Sequence, residues 1–117
     1  MQARSDRSPA SNAAADAALQ VEARRLREEL GEPIEGPDQM TYGSQAAAAS
    51  QVFAQQRDLA LRDRERIQLR LVEEALARLD SGTYGTCVEC GKPTGNERLE
   101  AIPWAATCID CARTTGR

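Results

Sequence analysis

Four cysteines, the only ones in a chain of 117 residues, are the side chains with chemistry to offer. They read Cys87-Val-Glu-Cys90, seventeen residues, then Cys108-Ile-Asp-Cys111. Two CxxC pairs at this separation have the spacing of a zinc site. Each pair turns tightly enough to hold two sulfurs about 3.5–4 Å apart, and two facing turns complete a tetrahedron with roughly 2.3 Å Zn–S bonds. Gly91 follows Cys90, and a residue without a Cβ can take the left-handed conformation that closes such a knuckle. Three other uses compete. Two disulfides require an oxidising compartment, and Met1-Gln-Ala-Arg-Ser shows no apolar export region. A redox CxxC wants a thioredoxin-like βαβ pattern, which is absent. An iron–sulfur cluster can use four thiolates, but two paired knuckles favour zinc. A catalytic zinc keeps an open position and commonly uses histidine or a carboxylate. The chain has no histidine. The expectation is therefore one structural Zn²⁺ on Cys87, Cys90, Cys108 and Cys111, and no enzymatic activity.

The elements that must position this site are few. Apolar residues make up 41% of the chain, but much of that is alanine and only Phe53, Tyr42, Tyr84 and Trp104 are aromatic. A large core is not expected, so the metal must contribute folding energy to the C-terminal part. No apolar run approaches the ~18 residues of a membrane span. Reduced thiols and no export signal point to the cytoplasm. The net charge of −3 is unevenly placed: residues 1–30, 45–80 and 81–117 are each balanced, and the excess lies in 31–44 at Glu32, Glu35 and Asp38. DNA binding needs a basic face that releases counterions. None is legible here.

Residues 1–11 read as a polar, disordered tail. Ser11 or Asn12 can cap a helix to about Leu30, with Ala15, Leu19, Ala23, Leu26 and Leu30 as its apolar stripe. Gly31, Pro33, Gly36 and Pro37 break it, leaving a long loop over about 31–44. A second helix is expected from about Gln45 to Leu79, with Phe53, Ala60, Ile67, Leu71, Val72, Ala75, Leu76 and Leu79 along one side. The two stripes predict an antiparallel coiled-coil hairpin over 12–80, with the loop at its tip. On that reading the first half of the longer helix pairs with the shorter one. The lower half, from Ile67 to Leu79, takes cover from the zinc module of 81–117 or from another chain. The charged run Arg57 to Arg66 reads as solvated i,i+4 ion pairs such as Asp58–Arg62. Trp104, with Leu99 and Ile102, is expected to pack against the lower helix.

The stretch Gly82-Thr-Tyr-Gly-Thr-Cys87-Val-Glu-Cys90-Gly91-Lys, then Arg98-Leu-Glu-Ala-Ile-Pro103 and Cys108-Ile-Asp-Cys111, resembles the zinc finger of the DksA/TraR family. So do Arg57-Asp-Leu-Ala-Leu61, Arg62-Asp-Arg-Glu-Arg66 and the Leu-Asp-Ser-Gly entry, so that the resemblance covers about residues 42–112. It implies a mainly α protein and a bacterial transcription regulator that binds RNA polymerase. The hairpin tip would enter the secondary channel near the catalytic magnesium, and the zinc module would rest on the rim without contacting DNA sequence. The tip departs from the family pattern. Where members carry acidic residues in a motif like Asp-x-Ala, this chain has Ala47 with Ala49 retained, and Ser44 stands at an earlier acidic position. Glu35 and Asp38 of the loop could replace those carboxylates, or the chain could occupy the channel with a blunted effect. Basic positions that some members use for guanosine tetraphosphate correspond to Leu71, Ile102 and Ala112.

The leading expectation is a polymerase-binding regulator, monomeric or weakly self-associating. The alternative is a zinc-stabilised coiled-coil adaptor, or a self-associating protein unrelated to transcription, that uses the uncovered lower helix. A thiol-active redox or zinc-sensing protein is a third possibility. Inert, fully liganded thiols would exclude it.

Overall fold

The structure, a computed structural model, describes residues 7–31 and 45–115. Among these it has four helices: α1 (Pro9–Gly31), α2 (Gln45–Ser81), α3 (Asn96–Ala101) and α4 (Ile109–Thr115). None is long and apolar enough to cross a membrane. Of the tip residues named above, Glu35, Asp38 and Ser44 lie outside the described residues. Ala47 belongs to the first turn of α2, and Ala49 is exposed on it.

Helix α1 starts ahead of the Ser11 or Asn12 cap read from the sequence. The Ser8 hydroxyl accepts the Ser11 N–H at 3.1 Å, which makes Ser8 the N-cap. Pro9 then fills the first helical position, where its missing N–H costs nothing and its fixed φ already suits a helix. Residues 7–11, expected as tail, are thus ordered. Arg7 reaches out of this turn to Asn96 at 2.9 Å and stacks over the Tyr84 ring at 5.2 Å. The N-terminal end of α1 is thereby fastened to the zinc module.

Helix α2 has 37 residues, about 55 Å at the usual rise. It stops in a Schellman arrangement, with Gly82 N–H on Leu79 O at 3.3 Å and Thr83 N–H on Arg78 O at 2.9 Å. Gly82 takes φ +78 there, a conformation a side chain would resist.

The two helices run antiparallel, but α1 covers the lower half of α2 and not the upper half. Gln68 Nε2 donates to Glu22 at 2.6 Å, and Arg62 Nη1 donates to Leu30 O at 3.1 Å, near the end of α1. Leu19, Ala23 and Leu26 are fully buried with Val72 and Ala75. Tyr84, Leu99 and Ala105 join the same cluster, and Leu69, Leu76, Leu79, Ile102 and Trp104 pack on it. This corrects the pairing expected from the stripes. The reason is mechanical: α1 is anchored at the zinc end, and its 23 residues span only about 35 Å, so it runs out beside Arg62. The head of α2, residues 45–61, projects past α1. Phe53 at 71% exposure and Ile67 at 51% are outside the core. In the charged run, Arg66 pairs with Asp63 at 2.9 Å, one turn apart.

The two pairings predict opposite mutational results. Leu26→Ala should destabilise the chain by about 2–5 kcal/mol, the usual cost of a buried leucine. Phe53→Ala should change stability by less than about 0.5 kcal/mol, as expected of an exposed position. Urea unfolding followed by circular dichroism measures both.

Candidate metal centre

The four cysteine sulfurs all lie within 4.8 Å of one another. Cys90 Sγ and Cys108 Sγ are 3.8 Å apart, which matches the edge of about 3.8 Å that a tetrahedron with 2.3 Å Zn–S bonds must have. It is also far longer than a disulfide, and none of the four cysteines is in a disulfide. The cluster grades from buried Cys87 through half-buried Cys108 and Cys111 to exposed Cys90.

Local backbone chemistry builds the first pair. Cys87 N–H bonds Lys92 O at 2.8 Å, and Thr94 N–H bonds Gly85 O at 2.8 Å. Thr86 and Pro93 form an antiparallel bridge between them. Gly91 closes the knuckle with φ +75 while donating to Cys87 O at 3.0 Å. The second pair is not a matching free turn. Ala112 N–H bonds Cys108 O at 2.9 Å, so Cys108 opens α4 and Cys111 lies within that helix. Val88 N–H on Ala106 O at 2.9 Å and Arg98 Nε on Thr107 O at 2.7 Å bind the halves together. Tyr84, buried, donates its hydroxyl to Pro103 O at 2.8 Å.

Charge is the constraint on the cluster. Burial opposes ionisation of Cys87, yet amide hydrogen bonds from Cys108, Cys90 and Glu89 hold its thiol down at about 6. Cys111 moves the other way: its hydrogen bond to Cys108, burial and the nearby Cys87 and Cys90 sulfurs push it well above the usual thiol range. Four thiolates cannot share so small a volume by themselves. A dication removes that conflict, and the donor set is the soft, all-sulfur one that suits Zn²⁺ in a closed, non-catalytic site. The residues present therefore fit the metal.

Beside the centre, a groove of about 1050 Å³ runs between the foot of α2 and the zinc module. Leu71, Ile102 and Ala112 all line it, together with Trp104, Arg70, Arg78, Arg98 and Arg113. Arg78 Nη2 is buried there without a hydrogen-bond partner, and burial lowers the pKa of its guanidinium. Trp104 is half-buried against the core, with Ile102 beside it, in line with the packing expected from the sequence. The sequence reading missed the Arg7–Tyr84 contact. Its only local signal was the Ser8-Pro9 helix start.

The prokaryotic dksA/traR C4-type zinc finger family matches residues 82–115. An uncharacterized protein of Aquifex aeolicus is 35% identical over 96 residues, covering 80% of this chain and 59% of that protein. The RNA polymerase-binding transcription factor DksA of Haemophilus influenzae is 46% identical over 54 residues, covering 46% of this chain and 37% of that protein. The matches thus span less than two thirds of these relatives. The solved structure of transcription factor DksA2 from Pseudomonas aeruginosa superposes with a TM-score of 0.70 at 28% identity, covering 92% of this chain and 84% of that one. A C4 zinc finger with its four cysteines clustered takes one structural Zn²⁺.

Stripping the metal with a chelator, or Cys90→Ser, should unfold the zinc module and red-shift the emission of Trp104, the single tryptophan. Because Tyr84, Leu99 and Ala105 share the helix core, the melting temperature of the helix pair should fall in step. Unchanged emission in metal-free protein would contradict this.

Proposed function

Because residues 82–115 match the DksA/TraR four-cysteine zinc-finger family, we propose that the chain is a member of that family and a bacterial transcription regulator that binds RNA polymerase. Its role is binding, not catalysis, and it works in the cytoplasm. One zinc ion, held by Cys87, Cys90, Cys108 and Cys111, fixes the C-terminal module as a strut. The working part is the head of α2 with the adjoining segment 31–44, which enters the polymerase secondary channel while the zinc module stays on the rim.

The observation that carries this reading is the projection of residues 45–61 beyond the end of α1. A single helix about 10–12 Å wide with its side chains fits a narrow channel. The charge distribution agrees, because the excess is acidic and lies in 31–44, next to the head in sequence. Ala47 stands where the family pattern has an acidic residue, so Glu35 and Asp38 are the carboxylates available to the tip, with Ser44 and Ala49 beside them. The apolar Leu71, Ile102 and Ala112 offer no cation to a polyphosphate, so these three positions do not hold guanosine tetraphosphate.

A photo-crosslinker at Ala49 should capture core RNA polymerase near its secondary channel, and one at Glu97 should capture the outer rim. Glu35→Ala with Asp38→Ala should leave the crosslink in place while reducing the effect on transcription initiation in vitro. No crosslink at micromolar concentrations, or an unchanged effect after both substitutions, would count against the channel and the tip respectively.

A further inference from the structure

The foot of α2 presents a second face besides the one packed on α1. Arg70, Leu71, Glu74 and Arg78 lie within about 100° of one another around the helix, centred about 115° from Val72 and Ala75. Val72 and Ala75 are the pair buried against α1. The second face and the zinc module enclose the groove of about 1050 Å³. Its floor is apolar, with Leu71 and Trp104 lining it, and Val88 and Ile109 line it from the zinc side. Those two side chains are 54% and 51% exposed. Aliphatic groups clustered in the open around a groove mark a binding surface.

Charge narrows the choice of occupant. Arg70, Arg78, Arg98 and Arg113 line the groove against a single carboxylate, Glu74, in a chain whose net charge is −3. Elsewhere the arginines pair: Arg25 with Glu22 and Glu29, Arg27 with Glu73, and Arg66 with Asp63. Among the described residues none of the four groove arginines forms an ion pair. Arg98 gives its Nε to Thr107 O, and Arg78 keeps Nη2 buried with no hydrogen-bond partner. A desolvated guanidinium without a counter-charge is costly, and an anionic occupant offsets that cost.

Spacing narrows it further. Arg70 and Arg78 are eight residues apart, about 12 Å along α2. Cations spread over that length do not converge on one head group, so a small amphiphile would satisfy one end only. A nucleic acid strand wants several aromatic platforms, and Trp104 is the one aromatic side chain lining the groove. A helix about 10 Å across fills a volume of 1050 Å³ in roughly nine residues, or about 13 Å of its length. Carboxylates at i, i+4 and i+8 of such a helix span the same distance and share a side, and apolar side chains on the adjoining side can face the floor. We propose that the groove is a docking site for an acidic amphipathic helix of a protein partner, laid along the foot of α2 with its carboxylates on the four arginines and its apolar side chains on Leu71 and Trp104. This is helix-in-groove recognition at the end of α2 opposite its head, and it does not rest on the polymerase reading.

The emission of Trp104, the single tryptophan, reports on the groove directly. The probe is an 18-residue tryptophan-free peptide with glutamates at steps of four along one side and leucines along the adjoining side. Titrated into the zinc-loaded full chain, it should shift the emission saturably, with a dissociation constant of about 10–100 μM, and binding should weaken as salt is raised. Arg70→Glu and Arg113→Glu, both at exposed positions, should each weaken binding about tenfold, since like charges then meet. Arg24→Glu, on the exposed surface of α1, should leave it within about twofold. A peptide with lysine for glutamate should fail on the native chain and bind the Arg70→Glu, Arg113→Glu double variant. Serine for leucine should abolish binding, and circular dichroism should show each variant folded. No saturable shift at millimolar peptide overturns the proposal, as does binding that ignores the groove charges or the leucines. Dodecanoate or oligouridylate binding more tightly than the peptide, with the same arginine dependence, also overturns it in favour of a lipid or an RNA. If the peptide binds but the Glu97 crosslink to polymerase fails, the polymerase reading falls and the groove stands.

Discussion

Four sulfurs within 4.8 Å of one another demand a cation, and the rest of the chain is arranged around that demand. The zinc module is too small and too poor in aromatics to fold on apolar burial alone. Once a dication joins Cys87 and Cys90 to Cys108 and Cys111, the module gains a fixed shape. Tyr84, Leu99 and Ala105 can then be presented as one face of the helix core. The metal supplies a rigid end.

That rigid end sets the register of the helices. Arg7 stacks on Tyr84 and bonds Asn96, so α1 is laid down from the zinc end upwards. It pairs with the foot of α2 and ends near Arg62, and among the described residues nothing packs along the remainder of α2. An isolated helix of that length is marginal in water. Phe53 in the head and Ile67 just below it are exposed. On the proposed function, this asymmetry between a buttressed foot and an open head is what a protein that binds by offering one slender helix needs.

Much of this was legible in the sequence, for physical reasons that differ by element. The two CxxC pairs announce a metal because nothing else makes economical use of four such thiols. Gly82 and the glycine–proline cluster after Leu30 mark helix ends because backbone conformation there is chemically restricted. The α1 stripe of Ala15, Leu19, Ala23 and Leu26 is the buried one. The pairing of stripes was not legible. Alanine and leucine stripes of equal period carry no marker of offset, and the long Gly- and Pro-containing stretch between the two stripes leaves the offset open in the sequence. What fixes it is the contact of Arg7 with Tyr84 and Asn96, residues far apart from it in sequence, together with a helix start at Ser8-Pro9 that the polar tail disguised. Placing Cys108 at the mouth of α4 likewise depends on tertiary packing, which the spacing alone could not distinguish from a second knuckle.

The central claim is that the metal clamps the foot of the helix pair and leaves the head of α2 independent of it. Amide hydrogen exchange on the zinc-loaded and zinc-stripped chain tests this most directly. The account predicts that zinc removal collapses protection in residues 15–26 and 69–79, while residues 45–61 exchange quickly in both states. Protection that persists at 69–79 without metal, or strong zinc-dependent protection confined to 45–61, would contradict it.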